Sequence, residues 1–136
     1  MRIAFGTDDE TDVTRQIVDD LGARGHEVLR VDCGGQWADV GRAVAEAVTS
    51  QRATAGVVCC WTGTGVAMAA NRVAGARAAV CTDAATAEGA RRWNDANILA
   101  LSLRLTTPAV ASEMLDAFLS TPADPAEIGN IASLDR

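Results

Sequence analysis

Cys60-Trp61-Thr62-Gly63-Thr64-Gly65 is the stretch of this chain best equipped for chemistry. It joins an apolar run ending in Val57-Val58-Cys59 to an alanine-rich run from Val66 to Asn71. The first reads as a strand covered on both faces and the second as a helix. Gly63 and Gly65 permit the sharp turn between them. The unpaired N–H groups of the helix's first turn, with the positive end of its dipole, face back onto that turn. They would stabilise a small anion, or an oxygen that becomes negative during a reaction. The same field favours the thiolate form of a nearby thiol, which suits Cys60 to serve as base or nucleophile. The plainer reading is a glycine turn of an ordinary α/β domain, with a cysteine acting as a small buried hydrophobe.

The rest of the composition narrows the choice. The 136 residues suit one domain, 1–136, and 49% of them are apolar. No apolar run approaches the ~18 residues of a membrane span. Met1-Arg2-Ile3-Ala4-Phe5 enters a strand-like run directly, without the pattern of a secretory leader, so the expected setting is cytoplasmic, with no membrane partner. The net charge is −6 and no basic patch occurs, which argues against nucleic acid as a partner. All 12 basic residues are arginines. The absence of lysine excludes Schiff-base chemistry and a phosphate-loop lysine. Cys33, Cys59, Cys60 and Cys81 form no C-x-x-C pair, so no metal site is expected. The single histidine, His26, lies in a turn leading into a strand, hence at the amino edge of a parallel sheet and away from any site. Acid–base groups must therefore be cysteine, carboxylates or hydroxyls.

Periodicity supplies the elements that position these residues. Strands are predicted at Ile3–Gly6, Glu27–Asp32, Ala55–Cys60, Ala78–Cys81 and Ile98–Leu101. Between them the apolar spacing predicts helices from Asp12 to Leu21, from Ala38 to Ser50, from Val66, and from Ala84 to Trp93 capped by Thr82 or Asp83. Pro108 opens a further helix to about Leu119. Thr121-Pro122-Ala123-Asp124-Pro125 breaks it, and a short helix or loose tail follows. Alternation of this kind means an α/β fold, a five-stranded parallel sheet with helices on both faces. Its carboxyl edge would collect Asp8, Cys60-Trp61-Thr62, Thr82-Asp83 and the segment after Leu101.

Several blocks, in this order, resemble the ribose-5-phosphate isomerase B and galactose-6-phosphate isomerase family from about Arg2 to Arg104. They are Gly6-Thr7-Asp8; Cys60 to Gly65 continuing through Ala69-Ala70-Asn71-Arg72; Arg77 to Asp83; and Asn94-Asp95-Ala96-Asn97-Ile98-Leu99-Ala100-Leu101. The resemblance implies a three-layer Rossmann-like fold and an aldose–ketose isomerase that needs no cofactor and no metal. It implies a homodimer or dimer of dimers, the site between subunits and the tail from about residue 121 docking on the partner. In that scheme Cys60 moves the proton between C1 and C2 and Thr62 assists at a sugar oxygen. Gly63, Thr64 and Gly65 stabilise the enediolate together with Asn94, Asp8 binds sugar hydroxyls, and Arg104 binds phosphate.

The departures from the family pattern are as informative. Asp9 stands where the family has a phosphate-contacting histidine, and a carboxylate repels phosphate. Trp93 replaces a ring-opening histidine, and indole is a donor only. Trp61 replaces a glycine. Trp61 and Trp93 could line a more apolar pocket, stack on a sugar face or pack between subunits. No arginine falls around Glu127 to Ile131, and only Arg136 follows. The expected function is isomerisation of a small sugar or sugar phosphate through an enediolate, with the substrate altered from ribose 5-phosphate. The alternative is a catalytically silent subunit, or a small-ligand binding protein on the same fold. Retention of Cys60, Thr62 and Asn94 favours the enzyme. A dinucleotide site is disfavoured, because Gly63-Thr64-Gly65 does not continue as G-x-G-x-x-G.

Overall fold

A computed structural model describes residues 1–135, and Arg136 lies outside the described residues. The strands are β1 (Arg2–Thr7), β2 (Glu27–Arg30), β3 (Ala55–Cys60), β4 (Ala78–Val80) and β5 (Ile98–Ser102). The helices are α1 (Asp12–Ala23), α2 (Trp37–Thr49), α3 (Thr64–Ala70), α4 (Ala84–Asn94), α5 (Pro108–Ser120) and α6 (Ile128–Ser133). All five strands are parallel, in the order β2-β1-β3-β5-β4. Chain order therefore reverses direction at β1 and β3, the place where open α/β sheets leave a crevice beyond their carboxyl ends.

Side chains of β3 alternate between two cores, as a doubly covered strand requires. Val57 and Cys59 enter one with Ile17 and Leu21 of α1, Ala87 of α4, and Met114 and Phe118 of α5. Val58 and Cys60 enter the other with Val40 and Val44 of α2 and Val66 and Ala70 of α3. The result is the expected three-layer arrangement, and adjacent Cys59 and Cys60 face opposite layers.

Local chemistry fixes the helix starts. Thr11 and Thr14 exchange bonds in a capping box at α1. Asp83, not Thr82, caps α4, and hydrogen bonding from Thr86, by its side chain and then by its N–H, holds that carboxyl below the usual range. Thr107 caps α5 ahead of Pro108. Some boundaries differ from the sequence expectation. β2 stops at Arg30 rather than Asp32, because it is an edge strand paired only with β1, although Val31 N still donates to Phe5 O at 2.8 Å. α3 starts at Thr64 rather than Val66, because Gly63 takes the cap position at φ 78°. The tail is ordered as a 3-10 turn, Pro125–Glu127, followed by α6.

Layer α2 against α3 is tight where Gly41 faces α3. A Cβ there would collide with the Val66 carbonyl oxygen and come within 2.8 Å of the Ala69 Cβ. Gly22, inside α1, has nothing within 4 Å of the same position. Gly41→Ala should therefore cost about 1–3 kcal/mol in urea unfolding, as overpacking does. Gly22→Ala should gain roughly 0.4–1 kcal/mol. Equal effects of the two substitutions would contradict this packing.

Candidate active site

The carboxyl edge of the sheet is built by register. Thr7 pairs with Cys59 and Cys60 with Ser102, so the ends of β1, β3 and β5 are level. Asp8 follows β1, and its N–H donates to the Cys59 carbonyl at 3.4 Å. Cys60 sits at the last position of β3, 5% exposed, whereas Cys59 is fully buried. The loops after β3 and β5 are tied together. Leu103 N donates to Cys60 O at 2.9 Å, Arg104 N to Trp61 O at 3.0 Å, and Ser102 Oγ to Trp61 O at 2.9 Å.

This tie explains the glycine at 63. Besides its positive φ, a Cβ there would stand 2.9 Å from the Leu101 carbonyl carbon. At Gly65 a Cβ would come within 2.8 Å of the Trp37 ring, so the first residue of α2 packs against the loop. No side chain caps α3, which leaves its first-turn N–H groups free for an oxygen bound over Gly63, Thr64 and Gly65. The Thr62 and Thr64 hydroxyls bond each other at 2.7 Å, and both residues are exposed, as is Trp61. Arg104 is exposed, and its guanidinium has no partner among the described residues.

On the other side of Asp8 a cleft of about 330 Å³ opens toward β2, lined in part by Thr7, Asp8, Asp9, Glu10, Arg30 and Asp32. Burial lifts the Asp8 carboxyl above the usual range; a bond from its own N–H pulls it partly back, and the Asp9 charge pushes it further up. Among the described residues, no group of His, Cys, Asp and Glu side chains is arranged to hold a metal ion.

Trp93 and Asn94 are elsewhere. α4 starts at Ala84, beyond the carboxyl end of β4, and its 11 residues carry the chain back to the amino edge, where β5 begins. That helix is about 16 Å long at 1.5 Å per residue. Within one chain the structure thus brings together Asp8, Asp9, Cys60, Trp61, Thr62, Gly63, Thr64, Gly65 and Arg104, and it leaves Trp93 and Asn94 at the opposite edge. There Asp95, at φ 47°, ends α4. Its carboxylate takes bonds from Arg77 at 3.0 Å and Arg91 at 2.8 Å, which fixes the helix end beneath Asn94. The Trp93 ring packs back onto Gly89, yet 55% of the residue is exposed. The tail meets this end of α4, with Asp124 N donating to Arg92 O at 2.7 Å and Arg91 Nε to Thr121 O at 3.2 Å. His26 is also at the amino edge, as expected, but half-buried, its Nδ1 3.2 Å from the Met1 amino group. Burial, with the nearby positive terminus and Arg24, lowers its pKa.

Three residues beside the site escaped the sequence reading. Trp37 carried a visible signal, an aromatic at the start of a helix that must leave the carboxyl edge. Glu10 and Arg30 form an ion pair across 20 positions, and nothing local announces it.

A parallel α/β sheet with an uncapped glycine turn at its switch point defines a class of small-molecule enzymes rather than one activity. The comparison with known families narrows it. The chain belongs to the Ribose/Galactose Isomerase family, whose sequence profile matches residues 3–131. It is 34% identical over 132 residues to the galactose-6-phosphate isomerase subunit LacB of Clostridium acetobutylicum, covering 92% of this chain and 75% of that one. It is 34% identical over 125 residues to the D-erythrulose-4-phosphate isomerase of Pectobacterium atrosepticum, covering 88% and 82%. The solved ribose-5-phosphate isomerase B of Clostridium thermocellum superposes with a TM-score of 0.94 at 36% identity, over 99% of this chain and 95% of that one.

The thiols provide a direct check on the burial pattern. Burial, with the Asp83 charge adding to it, pushes the Cys81 thiol up to about 11, and burial pushes Cys59 higher still. Both therefore stay protonated near neutrality. Iodoacetamide at about pH 8, followed by peptide mass mapping, should label half-exposed Cys33 and spare Cys59 and Cys81 while the protein is folded. Rapid labelling of Cys81 in the folded protein would show the burial to be wrong.

Proposed function

We propose that this chain is an aldose–ketose isomerase acting through an enediolate on a small sugar or sugar phosphate, with the substrate altered from ribose 5-phosphate. The observation that carries the reading is the pairing of the Cys60 thiol with the uncapped turn Gly63–Thr64–Gly65. Proton removal beside a carbonyl needs a base and donors aimed at the developing oxyanion. Cys60 takes the proton from C2 and returns it to C1. The loop N–H groups hold the oxygen that becomes negative. The Thr62 hydroxyl relays the proton between O2 and O1, and Asp8 orients the hydroxyls further along the sugar. Arg104 offers an unpaired cation at the same edge.

Asn94 completes the site from a second copy of the chain. Its place at the amino edge, with exposed Trp93 beside it, supports a homodimer in which each carboxyl edge meets the partner's amino edge. Two such dimers could pair further. The tail after residue 121 already lies against the end of α4 that carries Asn94, which supports its docking at the same interface. Asp9 in the cleft and Trp93 at the amino edge support a substrate change, since a carboxylate repels phosphate and an indole, a donor only, cannot catalyse ring opening. Four free cysteines suit a reducing, cytoplasmic setting.

Exchange of the C2 proton in heavy water reads enediolate formation directly. Over a panel of aldoses, with and without phosphate, Cys60→Ala should lose about 10²–10⁴-fold in exchange rate, the usual cost of removing a general base. Cys59→Ala should retain most of it. Similar rates for the two variants would remove Cys60 from the role of base.

A further inference from the structure

Along the carboxyl edge the strand order places Arg30, Asp8, Cys60 and Arg104 in succession, at the ends of β2, β1, β3 and β5. The cleft beside Asp8 lies on the β2 side. A sugar reacting at Cys60 and extending past Asp8 toward β2 would enter this cleft, where Arg30 stands at the end of a strand two spacings, about 10 Å, from β3. Among the described residues, Arg30 is the one cation lining that cleft. Its guanidinium lies over the Phe5 ring, 5.5 Å from the centroid, and is paired with Glu10.

An exposed ion pair between two mobile side chains is usually weak. This one is held on both sides. Glu10 uses Oε1 for Arg30, while its Oε2 lies 3.3 Å from the Thr14 hydroxyl, whose one proton is shared with the nearer Thr11 carbonyl oxygen at 2.8 Å. Thr14 is itself fully buried and fixed in the capping box of α1. Phe5, beneath Arg30, is buried in the sheet. The other charged groups lining the cleft are Asp8, Asp9 and Asp32. A phosphate dianion entering here would meet a guanidinium already neutralised and three further carboxylates. A hydroxymethyl end would instead find acceptors in the carboxylates and donors in Arg30.

Resting on the isomerase reading above, we propose that this cleft receives the uncharged, hydroxyl-bearing end of an unphosphorylated sugar, and that Glu10 sets this preference by occupying Arg30. Glu10, in the loop after β1, is thus a specificity-determining residue that acts through Arg30, two strands from the reacting thiol. Glu10→Gln keeps the shape and the acceptor for Thr14 but removes the charge that claims Arg30.

The experiment titrates inorganic phosphate, ribose 5-phosphate and ribose into wild type, Glu10→Gln and the double variant Glu10→Gln/Arg30→Gln, following the NMR shifts of the Asp8, Glu10 and Arg30 amides. Wild type should prefer ribose over ribose 5-phosphate. Glu10→Gln should bind phosphate and ribose 5-phosphate about tenfold more tightly, the effect of one charged hydrogen bond gained, and the double variant should lose that gain. The proposal is overturned if wild type binds ribose 5-phosphate more tightly than ribose. It is equally overturned if Glu10→Gln leaves the ratio unchanged, or if the gain survives loss of Arg30. Wild-type C2 exchange, measured alongside, separates the two levels. An Arg30-dependent gain in a protein that exchanges no aldose supports the cleft assignment and removes the isomerase reading.

Discussion

Each helix that links two strands here carries the chain from the carboxyl edge of the sheet back to the amino edge, because neighbouring parallel strands can be joined in no shorter way. That return has a direct consequence for function. Whatever follows a strand can gather around Cys60, and whatever ends a crossover helix is delivered to the far side, a strand length of some 17–20 Å away. Asp8, Thr62 and Arg104 follow strands. Asn94 and Trp93 end α4. Within a single chain the two groups cannot meet, and the homodimer proposed above is the economical way to unite them.

The carboxyl-edge half depends on close backbone approach. The loop after β3 is pinned to the loop after β5 by bonds from Leu103, Arg104 and Ser102, which leaves no room for a side chain at Gly63. Trp37 covers Gly65 from the α2 side. Held from both directions, the turn presents its N–H groups in a fixed arrangement, which is what the proposed oxyanion-binding role requires. The amino-edge half is held differently, by charge. Asp95 in a left-handed conformation is gripped by Arg77 and Arg91, so the last residues of α4 stand on a fixed base.

Much of this was legible in the chain. Val57-Val58-Cys59-Cys60 announces a strand buried on both faces, and the opposed directions of the two cysteines follow from a period of two. The glycine turn, the capping of α4 near Asp83 and the proline start of α5 are local features, and local chemistry determines them. The strand order was not legible: β5 inserts between β3 and β4 by pairings far apart in sequence. α3 starts two residues before the alanine-rich run from Val66, because a left-handed glycine can occupy a cap position that side-chain preferences would leave empty. The Glu10–Arg30 pair and the packing of Trp37 on Gly65 depend on long-range contacts and left no trace in any window of sequence.

The central claim is that one catalytic site is shared by two chains, with Cys60 supplied by one and Asn94 by the other. Mixing two separately inactive variants, Cys60→Ala and Asn94→Ala, tests it most directly. After dissociation and random reassociation, half of the dimers contain one of each, and each of those has one intact site. C2 proton exchange should then recover to about a quarter of the wild-type rate per chain. If the mixture stays as inactive as its components although mixed dimers have formed, both residues act within the same chain and the account fails.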